Sequence, residues 1–181
     1  LSLVKKGENS GSYKMPTTCP SCGSKVFRDD EAAIRCTNPD CPAQLLRNLI
    51  HFASRDAMDI EGLGAAIVES LIDKGLLKSA ADIYYLTFDQ LKSLWQKGEL
   101  AAKKLLNAIE ASKSQDISKL IYALGIRQVG VKTAKVLGTA FGSLDNLMNA
   151  SLEDLCQISD VGEVTALSIY EWFRSTQSHE M

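Results

Sequence analysis

Four of the five cysteines fall in two close pairs, Cys19-Pro-Ser-Cys22 and Cys36-Thr-Asn-Pro-Asp-Cys41, with thirteen residues between them. Thiolates are soft ligands, and two such pairs joined by a hairpin fill a tetrahedron around one zinc ion with little strain. Gly23 and Asn38-Pro39-Asp40 supply the tight turns that let the sulfurs converge. Between the pairs, Lys25-Val26-Phe27-Arg28 and Ala33-Ile34-Arg35 alternate like two short strands around the turn Asp29-Asp30-Glu31. Four protein thiolates leave no open position for water or substrate, so Cys19, Cys22, Cys36 and Cys41 are expected to hold a structural zinc and to catalyse nothing. The competing arrangement is two disulfides in a secreted domain. An odd fifth cysteine, a start that does not read as an export signal and a long helical partner that needs no staples weigh against it. Cys156 lies in the apolar series Leu152, Leu155, Ile158 and reads as a core residue. His51, among Leu49, Ile50 and Phe52, reads as structural, and His179 lies near a fraying end. No residue presents itself as catalytic.

Beyond the cysteines, from Asp59 onward, the apolar residues follow the i, i+3, i+4, i+7 spacing of amphipathic helices, as in Leu63, Ile67 and Leu71 or Leu105, Leu106 and Ile109. One pattern recurs four times: an apolar residue, two others, a residue that is usually apolar, Gly, three others and a small or β-branched residue. Its instances run 60–68, 94–102, 126–134 and 158–166, around Gly64, Gly98, Gly130 and Gly162, which are 34, 32 and 32 residues apart. Leu86-Thr87 before Asp89 and Leu91 answers Ala150-Ser151 before Glu153 and Leu155 at an offset of 64. Thr87 and Ser151 suit helix N-caps.

The sequence therefore predicts a mainly α chain: residues 1–15 as a Gly/Ser/Lys-rich linker, 16–56 as a small four-cysteine zinc finger, and 57–181 as an all-helical domain of four units in two duplicated pairs, about 57–120 and 121–175. A formal net charge of -2 excludes polyanion binding by bulk charge, and residues 57–181 carry twelve basic against sixteen acidic side chains. Geometry must do the work instead. A glycine-centred turn followed by a helix leaves the first amide groups of that helix without partners, and with the helix dipole they form an anion site that needs no side-chain charge. Several such turns at fixed spacing would follow the phosphates of a duplex without reading its sequence. The expected contacts are Gly62, Gly64, Gly98, Gly130 and Gly162, with Lys103, Lys104, Arg127, Lys132 and Lys135 as charged neighbours. Only the first turn has Gly two places before its key glycine. Gln96, Gln128 and Asp160 stand there in the others, so those turns are expected to adopt another backbone geometry. The basic neighbours favour the second and third turns over the outer two.

The turns Ile60-Glu61-Gly62-Leu63-Gly64 and Gly125-Ile126-Arg127-Gln128-Val129-Gly130 resemble helix-hairpin-helix motifs. Four signatures occur in order: the finger ending Cys41-Pro42-Ala43-Gln44, then Met58-Asp59-Ile60-Glu61-Gly62-Leu63-Gly64, then Asn107-Ala108-Ile109-Glu110-Ala111-Ser112-Lys113, then Ala123-Leu124-Gly125-Ile126-Arg127 with Val129-Gly130. Together they resemble the C-terminal half of bacterial NAD-dependent DNA ligases over about residues 16–175. The resemblance implies a cytoplasmic, nucleoid-associated parent enzyme that seals nicks in duplex DNA during replication and repair, with NAD as adenylate donor and Mg2+ in its catalytic part. Such enzymes are adenylated on the Lys of a Lys-x-Asp-Gly motif, and no Asp-Gly occurs in this sequence. The chain is accordingly expected to be an inactive piece whose partners are nicked duplex DNA and the adenylation, oligonucleotide-binding and BRCT domains of the same protein, with residues 1–15 as the possible end of the oligonucleotide-binding domain. No apolar stretch is long enough to predict a membrane span. Two other readings stay open: a DNA-binding module of another repair complex, and a zinc-clipped scaffold for protein partners.

Overall fold

A computed structural model describes residues 15–28, 33–38, 41–95 and 98–175. The turn at 29–31, Pro39 and Asp40, Gln96 and Lys97, the linker up to residue 14 and His179 lie outside the described residues. The chain divides into two compact units, 1–43 and 44–181.

In the first unit, β1 (Val26–Arg28) pairs antiparallel with β2 (Ile34–Cys36), with Val26 opposite Cys36, Phe27 opposite Arg35 and Arg28 opposite Ile34. The first cysteine pair sits on a knuckle: Gly23 N–H donates to the Cys19 carbonyl at 2.9 Å and Cys19 N–H to the Ser24 carbonyl at 2.7 Å. Gly23 closes it with a φ of +72°, a region that costs glycine nothing. A bridge from Thr18 to Lys25 ties the knuckle to the hairpin.

The second unit is helical. Among the described residues its helices are α1 (Pro42–Ala53), α2 (Ala65–Asp73), α3 (Phe88–Lys92), α4 (Glu99–Ser112), α5 (Ile117–Ala123), α6 (Val131–Phe141), α7 (Leu144–Met148), α8 (Leu152–Cys156) and α9 (Glu163–Arg174), with a 3-10 turn at Ala81–Tyr85. Pro42 opens α1 immediately after Cys41, at the first helical position, where its missing N–H costs no hydrogen bond. Thr87 and Ser151 cap α3 and α8 as the sequence predicts, and each forms a capping box, Thr87 with Gln90 and Ser151 with Asp154.

Two hydrophobic clusters organise this unit. One gathers Leu49, Phe52, Ala53, Ile60, Leu63, Val68, Leu71, Leu91 and Leu105 among its buried residues. The other gathers Ile121, Ile126, Ala134, Leu137, Leu155, Ala166 and Ile169. The finger was expected to run to residue 56. The compact units part at 43/44, and Leu49, Phe52 and Ala53 of α1 are buried in the first helical cluster. Within α5, Leu120 packs against the first cluster and Ile121 lies in the second. His51 Nε2 donates to the Tyr122 carbonyl at 2.8 Å, a direction fixed by the carbonyl being acceptor only, and its ring meets Tyr122 edge-on at 4.8 Å. That contact ties α1 to α5 and accounts for the histidine structurally. Among the described residues Ser112 is the buried polar side chain, donating to the Ile109 carbonyl at 2.7 Å with the Tyr84 hydroxyl at 3.2 Å. Gly138 lets α6 approach α5: a Cβ there would lie 3.2 Å from Ser118 N.

Candidate metal centre and nucleic-acid interface

The sulfurs of Cys19, Cys22, Cys36 and Cys41 all lie within 4.8 Å of one another, with Cys19 to Cys41 at 3.8 Å and Cys22 to Cys36 at 3.5 Å. A zinc tetrahedron with Zn–S near 2.3 Å has sulfur-sulfur edges of about 3.8 Å, whereas a disulfide requires about 2.05 Å. None of the four is held in a disulfide, and their spacing fits a metal. Backbone N–H groups of Cys22 and Ser21 hold the Cys19 thiol below its ordinary range. The Ser24 hydroxyl and N–H lower Cys22 to about 6. At Cys36 the Asn38 N–H favours the thiolate, but burial and the sulfurs of Cys22, Cys19 and Cys41 outweigh it and push the thiol up to about 11. Crowding four potential anions raises the last of them, and a divalent cation bound among them would relieve that repulsion.

The helical unit carries the second site. In the turns at 60–64, 126–130 and 158–162 the backbone repeats. Leu63 N–H donates to the Ile60 carbonyl at 3.2 Å, Val129 to Ile126 at 3.1 Å and Val161 to Ile158 at 3.1 Å. The residue two before the key glycine has positive φ in all three: Gly62 at +92°, Gln128 at +65° and Asp160 at +66°. This corrects the sequence expectation that Gln128 and Asp160 force another geometry. Polar side chains tolerate the left-handed region, Asp especially, and the packed apolar residues on either side hold the turn.

Each key glycine is then an N-cap. Gly64 (φ -81°, ψ 173°), Gly130 (-88°, 177°) and Gly162 (-79°, 165°) are extended, exposed and without a capping side chain. Their carbonyls accept the first helical hydrogen bonds from Val68, Ala134 and Ala166, which are wholly buried. A Cβ built on any of the three meets nothing within 4 Å. The second turn differs. Gly98 is buried with φ -86° and ψ 0°, and a Cβ there would lie 2.8 Å from the Lys92 carbonyl oxygen and 3.1 Å from Trp95 Cβ. Gly98 answers a packing demand, so its expected place among the outward contacts is withdrawn.

Lys103, Lys104, Arg127, Lys132 and Lys135 are all exposed. Lys132 pairs with Asp160 at 3.1 Å, bringing the third and fourth turns side by side. Lys135 lines an open cleft of about 610 Å³ with Arg55, Lys119 and Val131, and with Asp56, Asp59 and Asp116. Arg55 and Lys119 were not among the sequence candidates. They sit outside the repeated pattern: Lys119 stands on α5 and Arg55 just after α1. Cys156, expected in the core, is exposed at the end of α8, because Leu155 takes the inward position. Among the described residues no helix is long and apolar enough to cross a membrane.

A clustered four-thiolate centre followed by glycine-cornered helical turns defines a zinc-finger and helix-hairpin-helix protein. Residues 18–43 match the family model of the NAD-dependent DNA ligase C4 zinc finger domain, and residues 119–181 match that of the helix-hairpin-helix motif. The chain is 47% identical over 179 residues to a DNA ligase of Levilactobacillus brevis, covering 98% of this chain and 26% of that one. To DNA ligases of Geobacter sulfurreducens and Natranaerobius thermophilus it is 49% and 50% identical, over 96% and 93% of its length and 26% of theirs. Along almost its whole length the chain is thus similar to the zinc-finger and helix-hairpin-helix portion of NAD-dependent DNA ligases, and it spans about a quarter of the length of these relatives.

Proposed function

We propose that this chain is the duplex-holding part of an NAD-dependent DNA ligase, gripping the sugar-phosphate backbone without reading sequence while adenylation, with NAD and Mg2+, takes place in parts of the protein beyond it. The observation that carries this reading is the identity of three corners. At Gly64, Gly130 and Gly162 neither a positive φ nor a crowded Cβ calls for glycine. What its absent side chain leaves is an uncovered helix start: the first amides of α2, α6 and α9 have no partner within their helices and no side-chain cap in front of them. A backbone phosphate supplies both the missing acceptor and the charge the helix dipole favours. We read the second turn as a supporting member of the same series, acting through exposed Lys103 and Lys104 rather than through Gly98. Zinc, bound by Cys19, Cys22, Cys36 and Cys41, shapes the finger.

The scaffold reading draws on one feature, an apolar cavity of about 390 Å³ lined by residues including Tyr84, Tyr85, Met148 and Trp172. It leaves the three open glycine corners without a reason, so duplex binding is preferred.

The test replaces phosphate by a carboxylate. An Asp at an N-cap accepts the first-turn amides itself and repels phosphate. Gly64→Asp, Gly130→Asp and Gly162→Asp together should leave thermal stability equal or slightly raised. Affinity for a fluorescent nicked duplex should fall by at least about tenfold, with a shallower dependence on salt, since each lost phosphate contact removes about 0.9 from the log-log slope. Unchanged affinity in a folded triple variant would defeat the proposal.

A further inference from the structure

Turns three and four meet through charge. Lys132 stands two residues after Gly130 in the first turn of α6, Asp160 stands two before Gly162, and their Nζ to Oδ2 distance is 3.1 Å. Both side chains are in solvent, 80% and 51% exposed. At the matching positions of turns one and two the sequence has Ala66 and Gln96, so this pair belongs to the second pair of turns alone. The backbone of turn four asks only for a residue that tolerates a φ of +66°, which Asn or Gly would satisfy at least as well. The conformation therefore explains a small polar residue or glycine at position 160, and leaves the negative charge to be explained by its partner.

We propose that Asp160 is an internal phosphate surrogate: in the free protein its carboxylate occupies Lys132, and on duplex binding a backbone phosphate takes its place, so that Asp160 lowers the affinity of this corner. The inference rests on the reading of the corners as duplex sites. A carboxylate and a phosphate oxygen make the same charge-assisted contact with an ammonium group. An exposed pair is weak and screened by salt, so exchange is easy. Once displaced, Asp160 stays beside the incoming phosphate and repels it, as does Glu163 at the first position of α9. Turn four thus acts on duplex through turn three, as a brake on a lysine that the sequence pattern alone would count as freely available.

The experiment is a double-mutant cycle on the whole chain, read by anisotropy of a labelled nicked duplex across a salt series. Asp160→Asn keeps the left-handed backbone and removes the charge. It should tighten binding about two- to fivefold and steepen the log-log salt slope by up to about one. Lys132→Gln should weaken binding, and in that background Asp160→Asn should return less than half of its gain. Asp160→Gly serves as a second neutral variant and should behave like Asp160→Asn. If Asp160→Asn leaves affinity unchanged, or gains as much with Gln at 132 as with Lys, the surrogate role is overturned while the duplex reading stands. If the wild-type chain shows no salt-sensitive duplex binding, both fall.

Discussion

At the residue scale, four glycines with the same sequence context have two different reasons to be glycine. Gly98 carries no unusual φ, yet a methyl group on it would press to 2.8 Å against a backbone oxygen that has little freedom to move. Gly98→Ala should therefore destabilise the helical unit by about 1–3 kcal/mol in urea denaturation, the usual range for forced overpacking. Gly64→Ala, with open space around it, should cost only the N-cap preference for glycine over alanine, about 0.5 kcal/mol. Equal costs at the two positions would mean that turn two is not the packed exception described above. The spacing of these residues was legible in the sequence because it is a one-dimensional property. Their orientation was not, because whether a corner faces solvent or the Lys92 carbonyl depends on how α3 packs on α4. Cys156 illustrates the same limit: its apolar neighbours are one helical step away from it, and one step decides which side faces in.

At the element scale, caps and strands were readable because each is decided within a few residues. Thr87 and Ser151 announce their helices as N-caps, and each also closes a capping box with the residue three places on, Gln90 and Asp154. Left-handed turns were less readable, since Gln128 and Asp160 adopt a conformation that their residue types only tolerate and that the buried Ile126, Val129 and Val161 around them impose. The box at α8 has a pH signature. The Ser151 hydroxyl and backbone N–H hold the Asp154 carboxyl below its ordinary range, so the folded state binds that proton less readily than the unfolded state does. Its stabilising contribution is full above the unfolded pKa of about 3.9 and fades as acid carries the solution down through the folded value. Asp154→Asn should accordingly cost stability at pH 7 and cost less at pH 3. A cost that is the same at both, measured by thermal melting, would show that the carboxylate charge adds nothing to the cap. Ser151→Ala, which removes the hydroxyl and so half of the box, should cost about 0.5–2 kcal/mol at neutral pH.

At the scale of the whole molecule, the two units are held together by different physics. Among the described residues of 15–43 only Cys19 and Cys41 are buried, and two three-residue strands cannot supply a hydrophobic core. A zinc ion held by the four cysteines would supply the stability that this unit's own residues do not, as in other small zinc modules. Residues 44–175 carry two apolar clusters and need no ion. Removing zinc with a chelator at neutral pH should release one ion per chain and abolish amide-exchange protection within 15–43. The far-ultraviolet helical signal should stay nearly intact, and α1 from residue 44 onward should remain protected because Leu49, Phe52 and Ala53 belong to the helical core. Acid acts in the same direction as the chelator. With its thiol pushed up to about 11, Cys36 still carries its proton at neutral pH in the metal-free state and must release it on binding. Zinc affinity must therefore weaken as pH falls and strengthen as it rises. A titration in which zinc binds equally well at pH 6 and pH 8, or a chelator that melts the helices together with the finger, would show that the two units do not divide the work of folding in this way.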